Sequence, residues 1–139
     1  MISLIDIKGA HKRISGYIHK TPTLSSKTIN NITGADIILK CENLQKTGSF
    51  KIRGATNTVQ QLSETELLNG IVTVSSGNHG AALSIAGAKM DAITTVIMPN
   101  NTPEVKIENV MRSGGKIVWC QPTQDSREKT LKSVVNKTG

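Results

Sequence analysis

The sequence predicts an α/β chain: an open parallel sheet with flanking helices. Three observations carry that expectation. From residue 70 onward, short apolar runs alternate with helical patterns: "GIVTVSS", "AITTVIM" and "KIVWC" are each followed by a helix-like segment. The runs are rich in β-branched residues, as buried strands are. The segment after the first run, "GNHGAALSIAGAKM", is full of Gly, Ala and Ser, so a helix there can lie close against a sheet.

The elements follow in order. "SLID" opens the chain as a capping box, with Ser3 as cap and Asp6 three residues on. Leu4, Ile7, Ile14 and Ile18 then recur at near-helical spacing. "TPTLSS" breaks that pattern. "ADIILKCEN" reads as a strand from Asp36 to Cys41, "KTGSF" as a turn, and Phe50 to Leu62 as a helix. "SETE", with Ser63 and Glu66, is a second capped helix start. Beyond the strand "AITTVIM", Thr102 is placed to cap and Pro103 to occupy the first position of a helix. Ile107, Val110 and Met111 give that helix an apolar face, and "SGG" ends it. The last helix sets Leu131, Val134 and Val135 on one face. With parallel strands, right-handed crossovers are the default. A boundary falls near residues 63 to 70, between a less regular part and a regular one. The chain ends where another strand is due, which reads as part of a longer protein.

Composition narrows the function classes. The 139 residues carry a net charge of +7, but the basic residues are scattered rather than blocked. With one Phe, one Trp and one Tyr there is little to stack on bases, so a nucleic-acid partner is not expected. Cys41 and Cys120 have no metal-ligand spacing and read as reduced thiols. No signal-peptide core and no apolar run of membrane-spanning length occurs, so a cytoplasmic location is expected and a membrane partner is not.

Two stretches can carry chemistry. In "TGSFKIRGA", Lys51 stands between Phe50 and Ile52. It is either a solvated charge with a buried stem or an amine kept for chemistry. A desolvated lysine loses its charge more readily, and a neutral amine attacks an aldehyde. In "VSSGNHG", residues 74 to 80, a strand ends and a helix opens. Ligands of open α/β sheets bind there, and the free N–H groups suit a phosphate or carboxylate. The alternative is a capped loop, with Ser76 or Asn78 as the cap.

Taken together, "CENLQKTGSFKIRGATN" and "VSSGNHGAA" resemble the pyridoxal-phosphate-dependent serine racemase and threonine dehydratase family of fold type II. "TPTL" and "VIMPNNTPEVKIENVMRSGGKIV" are similar to further segments of that family, so the resemblance covers nearly the whole chain. It implies that residues 1–62 are an incomplete N-terminal part of the large domain. Residues 63–139 would be the small α/β domain. It implies that Lys51 holds pyridoxal 5'-phosphate as a Schiff base and acts on the α-proton of a hydroxyamino acid: serine, threonine or hydroxyaspartate. Phe50 would pack near the cofactor ring, and Asn78 would hydrogen-bond the cofactor's phenolic oxygen. Ser75, Ser76, Gly77, Asn78 and His79 would receive the substrate carboxylate. Ser76, where many dehydratases carry Ala, implies a second base opposite the lysine and hence racemisation beside ammonia-lyase activity. Ala81 stands where racemase relatives often carry Gln, so nucleotide activation is not expected. The family's glycine-rich phosphate loop and its divalent-cation site are expected outside these residues, in a full-length parent that is a homo-oligomer. The isolated 139 residues are expected to be inactive.

Overall fold

The computed structural model describes residues 1–139. Helix α1 (Leu4–Ile14) starts at the expected capping box: the Ser3 hydroxyl accepts from the Asp6 N–H, and the Asp6 carboxylate accepts from the Ser3 N–H at 2.8 Å. The Ser3 hydroxyl, which donates to the same carboxylate at 2.7 Å, and then the Ser3 N–H hold the Asp6 carboxyl below its ordinary range. Of the apolar residues read as one helical series, only Ile14 is buried. Leu4 and Ile7 are exposed, and Ile18 lies past the helix end.

The next residues differ from expectation. "TPTLSS" is not simply a break, because Thr23–Ser25 forms strand β1. It pairs antiparallel with β2 (Ile38–Lys40), Leu24 facing Leu39. The expected strand Asp36–Cys41 is thus only three residues long. Between the two lies helix α2 (Lys27–Thr33), which the apolar pattern did not predict because none of its residues is buried. Its ends were legible nonetheless: the Ser26 hydroxyl caps the start, and Gly34 closes it at φ 68°. Two 3-10 turns, Glu42–Leu44 and Lys46–Gly48, lead to helix α3 (Lys51–Val59).

Helix α4 (Glu64–Asn69) begins at the expected Ser63–Glu66 box. Then come β3 (Ile71–Val74), α5 (Asn78–Ala88), β4 (Thr94–Pro99), α6 (Glu104–Arg112), β5 (Lys116–Cys120) and α7 (Gln124–Thr138). The three strands form one parallel sheet in the order β3-β4-β5, with Val74 beside Ile97 and Met98 beside Trp119. Two details of α6 correct the expectation. The Thr102 hydroxyl does not cap it but donates back to the Pro99 carbonyl at 2.7 Å, closing the turn after β4. Pro103 therefore takes the cap position, ahead of the first helical residue. Met111 also leaves the apolar face: it follows Val110 by one residue, about 100° around the helix, and is exposed. On α7, Val135 is exposed while Leu131 and Val134 are half-buried.

The core lies between α3, α5 and the sheet. Ile52, Ala55 and Val59 of α3 pack on Ala82, Leu83 and Ala86 of α5. On the sheet side, Ala81, Val96, Met98 and Val110 form a second buried group. Burying Ile52 or Val59 stabilises the fold by about 1.5–3 kcal/mol each. Small residues let α5 come close to the sheet: a Cβ on Gly80 would meet Cγ1 of Val96 at 2.9 Å. Lys51 is thereby mounted on a helix that is locked to α5 through Ile52, Ala55 and Val59.

Candidate active site

Lys51 is the first residue of α3. Its neighbour Ile52 is almost fully buried, whereas Lys51 itself is exposed. Of the two readings of its sequence setting, this chain shows a solvent-facing amine. Its Nζ lies 4.8 Å from the centroid of the Phe50 ring, a cation–π contact worth about 0.5–1 kcal/mol at an exposed site.

The turn that delivers Lys51 is held from several sides. Gln45 is buried, and its side chain clamps His19: Oε1 accepts from the His19 N–H at 2.9 Å, and Nε2 donates to the His19 carbonyl at 2.7 Å. Thr47 and Gly48 both have φ of 65°, which is costly for β-branched Thr47. The hydroxyls of Thr47 and Ser49 are buried without a partner. Two residues beyond Lys51, Arg53 donates to both carboxylate oxygens of Glu42. The Arg53 guanidinium is the main cause that lowers the Glu42 carboxyl to about 2. Thr21 donates to the same carboxylate at 2.6 Å. Thr21, Glu42 and Gln45 were not singled out in the sequence. Their partners are 11 to 32 residues away, and no local pattern connects them.

The second stretch forms the start of α5. Ser75 continues β3 by donating its N–H to Ile97 at 3.1 Å. Its hydroxyl accepts from the N–H groups of Gly77 and Gly80, at 3.3 and 3.1 Å. The loop is thus tied by Ser75, and not by Ser76 or Asn78; Gly77 occupies the cap position without a side-chain bond. The backbone N–H groups of Asn78 and His79 make no hydrogen bond within the chain, so they remain open to an anion. Ser76, Asn78 and His79 are exposed.

The structure brings part of the two stretches together. Phe50, Lys51 and His79, with Arg53, Gly54, Ala55 and Thr58, line one depression of about 350 Å³. Ser75, Ser76, Gly77 and Asn78 do not line it. No group of three or more His, Cys, Asp or Glu side chains is arranged to hold a metal ion.

The profile of the family described as "Pyridoxal-phosphate dependent enzyme" matches residues 14–139. The chain belongs to that family. It is 47% identical to a serine racemase of Arabidopsis thaliana over 98% of this chain and 41% of that protein. It is 42% identical to a beta-hydroxyaspartate dehydratase of Paracoccus denitrificans over 96% of this chain and 42% of that protein. Among solved structures, maize serine racemase superposes with a TM-score of 0.92 at 41% identity, covering 96% of this chain and 40% of that one. The chain therefore spans about two fifths of the length of these members of the pyridoxal-phosphate family. The parallel sheet with flanking helices is the family's fold, as the sequence predicted. The residues present suit part of such a cofactor site. They supply an accessible amine beside an aromatic ring and, across the same depression, the first turn of α5 with free N–H groups.

Proposed function

We propose that this chain is the lysine-bearing part of a pyridoxal-phosphate lyase or isomerase acting on a hydroxyamino acid. Serine, threonine and hydroxyaspartate are the candidate substrates. The observation that carries the reading is the shared depression of Lys51 and His79, beside the open N–H groups of α5. When bound, pyridoxal phosphate supplies an electron sink for the carbanion left by loss of the α-proton.

The chain's own residues have these roles. Lys51 would hold the cofactor through Nζ and would take the α-proton of the substrate. Phe50 would pack near the cofactor ring, and the Asn78 side chain would bond its phenolic oxygen. The loop from Ser75 to His79 takes the substrate carboxylate, which agrees with the dipole and free donors of a helix start. Ser76 is the second base, returning a proton from the far face, so racemisation accompanies elimination. Residues 1–62 belong to the large domain and 63–139 to the small one. Helix α3 reaches across that division onto α5, which fixes Lys51 relative to the carboxylate loop.

The full-length parent is a cytoplasmic homo-oligomer, and any divalent-cation site in it lies outside residues 1–139. No helix is long and apolar enough to cross a membrane. Alone, residues 1–139 leave Lys51 facing water and turn nothing over.

Turnover by the parent tests the proposal. Keto-acid release from serine, threonine or hydroxyaspartate, or inversion of serine, is expected. Failure with all three substrates, in protein shown to carry the cofactor, overturns it.

A further inference from the structure

A second depression, of about 240 Å³, lies at the end of α1 and is lined by His11, Ser15, Ile18, His19, Lys20, Lys40 and Arg53. None of these residues is acidic. Three are cations at neutral pH: Lys20, Lys40 and Arg53. The nearest compensating carboxylate is Glu42, which is engaged by Arg53. Two positive charges are left without a partner carboxylate.

Three of the groups are also held in place. Lys40 Nζ donates to the Thr21 carbonyl at 2.6 Å, which fixes the end of its long side chain. Arg53 is locked by Nε and Nη2, while its Nη1 makes no hydrogen bond within the chain. His19 is pinned by Gln45 through its backbone, and its Nδ1 lies 3.2 Å from the Leu44 carbonyl. The side chains of Lys20 and His11 make no hydrogen bond at all. Cations with open donors around a concave surface match a tetrahedral oxyanion, whose several oxygens accept from several directions at once.

We propose that this depression is a binding site for a phosphate-type dianion, either inorganic phosphate or a small phosphate monoester. Two unneutralised charges match the charge of such an anion. The site is distinct from the Lys51 depression: only Arg53 touches both, and neither Phe50 nor His79 belongs to it. It requires no cofactor and does not rest on the proposed activity.

The test is an NMR-detected titration of the 139-residue chain at constant ionic strength, first with inorganic phosphate and then with glycerol 3-phosphate. Saturable shifts at the amides of His19 and Lys20 are expected. The stronger of the two anions identifies the source. Lys20→Met combined with His11→Gln removes two side chains that bond nothing in the fold, so the variant folds. It should weaken binding roughly tenfold or more. Lys132→Met, an exposed lysine on α7, and Lys51→Ala should both leave the affinity unchanged. Three results overturn the site: shifts that stay linear to about 10 mM of either anion, the range of non-specific contacts; an equal loss in Lys132→Met, which indicates net charge alone; or a loss in Lys51→Ala, which moves the anion to the other depression.

Discussion

Arg53 and Glu42 form a two-pronged ion pair: Nε donates to Oε2 and Nη2 to Oε1, each at 2.7 Å. The two side chains keep only 26% and 19% of their surface, so the pair is largely shielded from water. It joins the first 3-10 turn to the first turn of α3 and so sets the position of Lys51. The pair predicts a pH dependence. The Glu42 carboxyl lies at about 2 in the fold, against an ordinary 4.5. Depressed in this way, it contributes stability that is complete above 4.5 and fades as the pH falls toward 2. With solvent screening allowed for, the contribution is roughly 1–2 kcal/mol. Urea midpoints measured from pH 6 down to 3 should fall more steeply for the natural chain than for Glu42→Gln. Parallel curves would remove the pair from the stability of the fold.

Thr47 predicts a gain. It holds φ 65°, and its hydroxyl is buried without a partner. Glycine accepts that conformation freely and has no hydroxyl to leave unpaired. Thr47→Gly should therefore stabilise the chain by about 1 kcal/mol in thermal or urea unfolding. A loss of similar size would show that the threonine methyl contributes more than its backbone strain costs.

Gly80 predicts the opposite. An added Cβ would press on Val96 Cγ1 at 2.9 Å and lie 3.5 Å from Ser75 Cβ, the residue that ties the loop. Neither neighbour is a free chain end. Gly80→Ala should cost about 1–3 kcal/mol. It should also shift the amide resonances of Gly77 through His79, because Ser75 and the start of α5 are pushed apart. An unchanged unfolding midpoint would mean that α5 lies further from β4.

Ser76 separates two outcomes of the proposed chemistry. In the full-length parent, Ser76→Ala should abolish inversion of serine while sparing its dehydration. Chiral analysis of serine alongside pyruvate release measures both. If the two activities fall together, Ser76 supports binding and is not a second base.

Much of the fold was legible because its signals are local. The Ser3–Asp6 and Ser63–Glu66 boxes, and the three short apolar strands, each announce themselves within a few residues. What escaped depends on distance or exposure. Helix α2 buries nothing, so no apolar period marks it. Thr102 looks like a cap locally, yet its hydroxyl bonds back to the turn at Pro99. Lys51 and His79 were each found in a motif, but their shared depression depends on α3 packing against α5. The Thr21–Glu42–Arg53 cluster joins three separate segments, and nothing in any one of them points to the others.

The most direct measurement concerns Lys51 itself. The full-length parent is mixed with pyridoxal phosphate, its visible absorbance is recorded, and it is then reduced with borohydride and mapped by peptide mass. An absorbance band that Lys51→Ala removes, with the reduced adduct on the peptide containing Lys51, is the expected result. A band that survives Lys51→Ala, or an adduct on another lysine, would contradict the assignment of this amine as the cofactor's anchor.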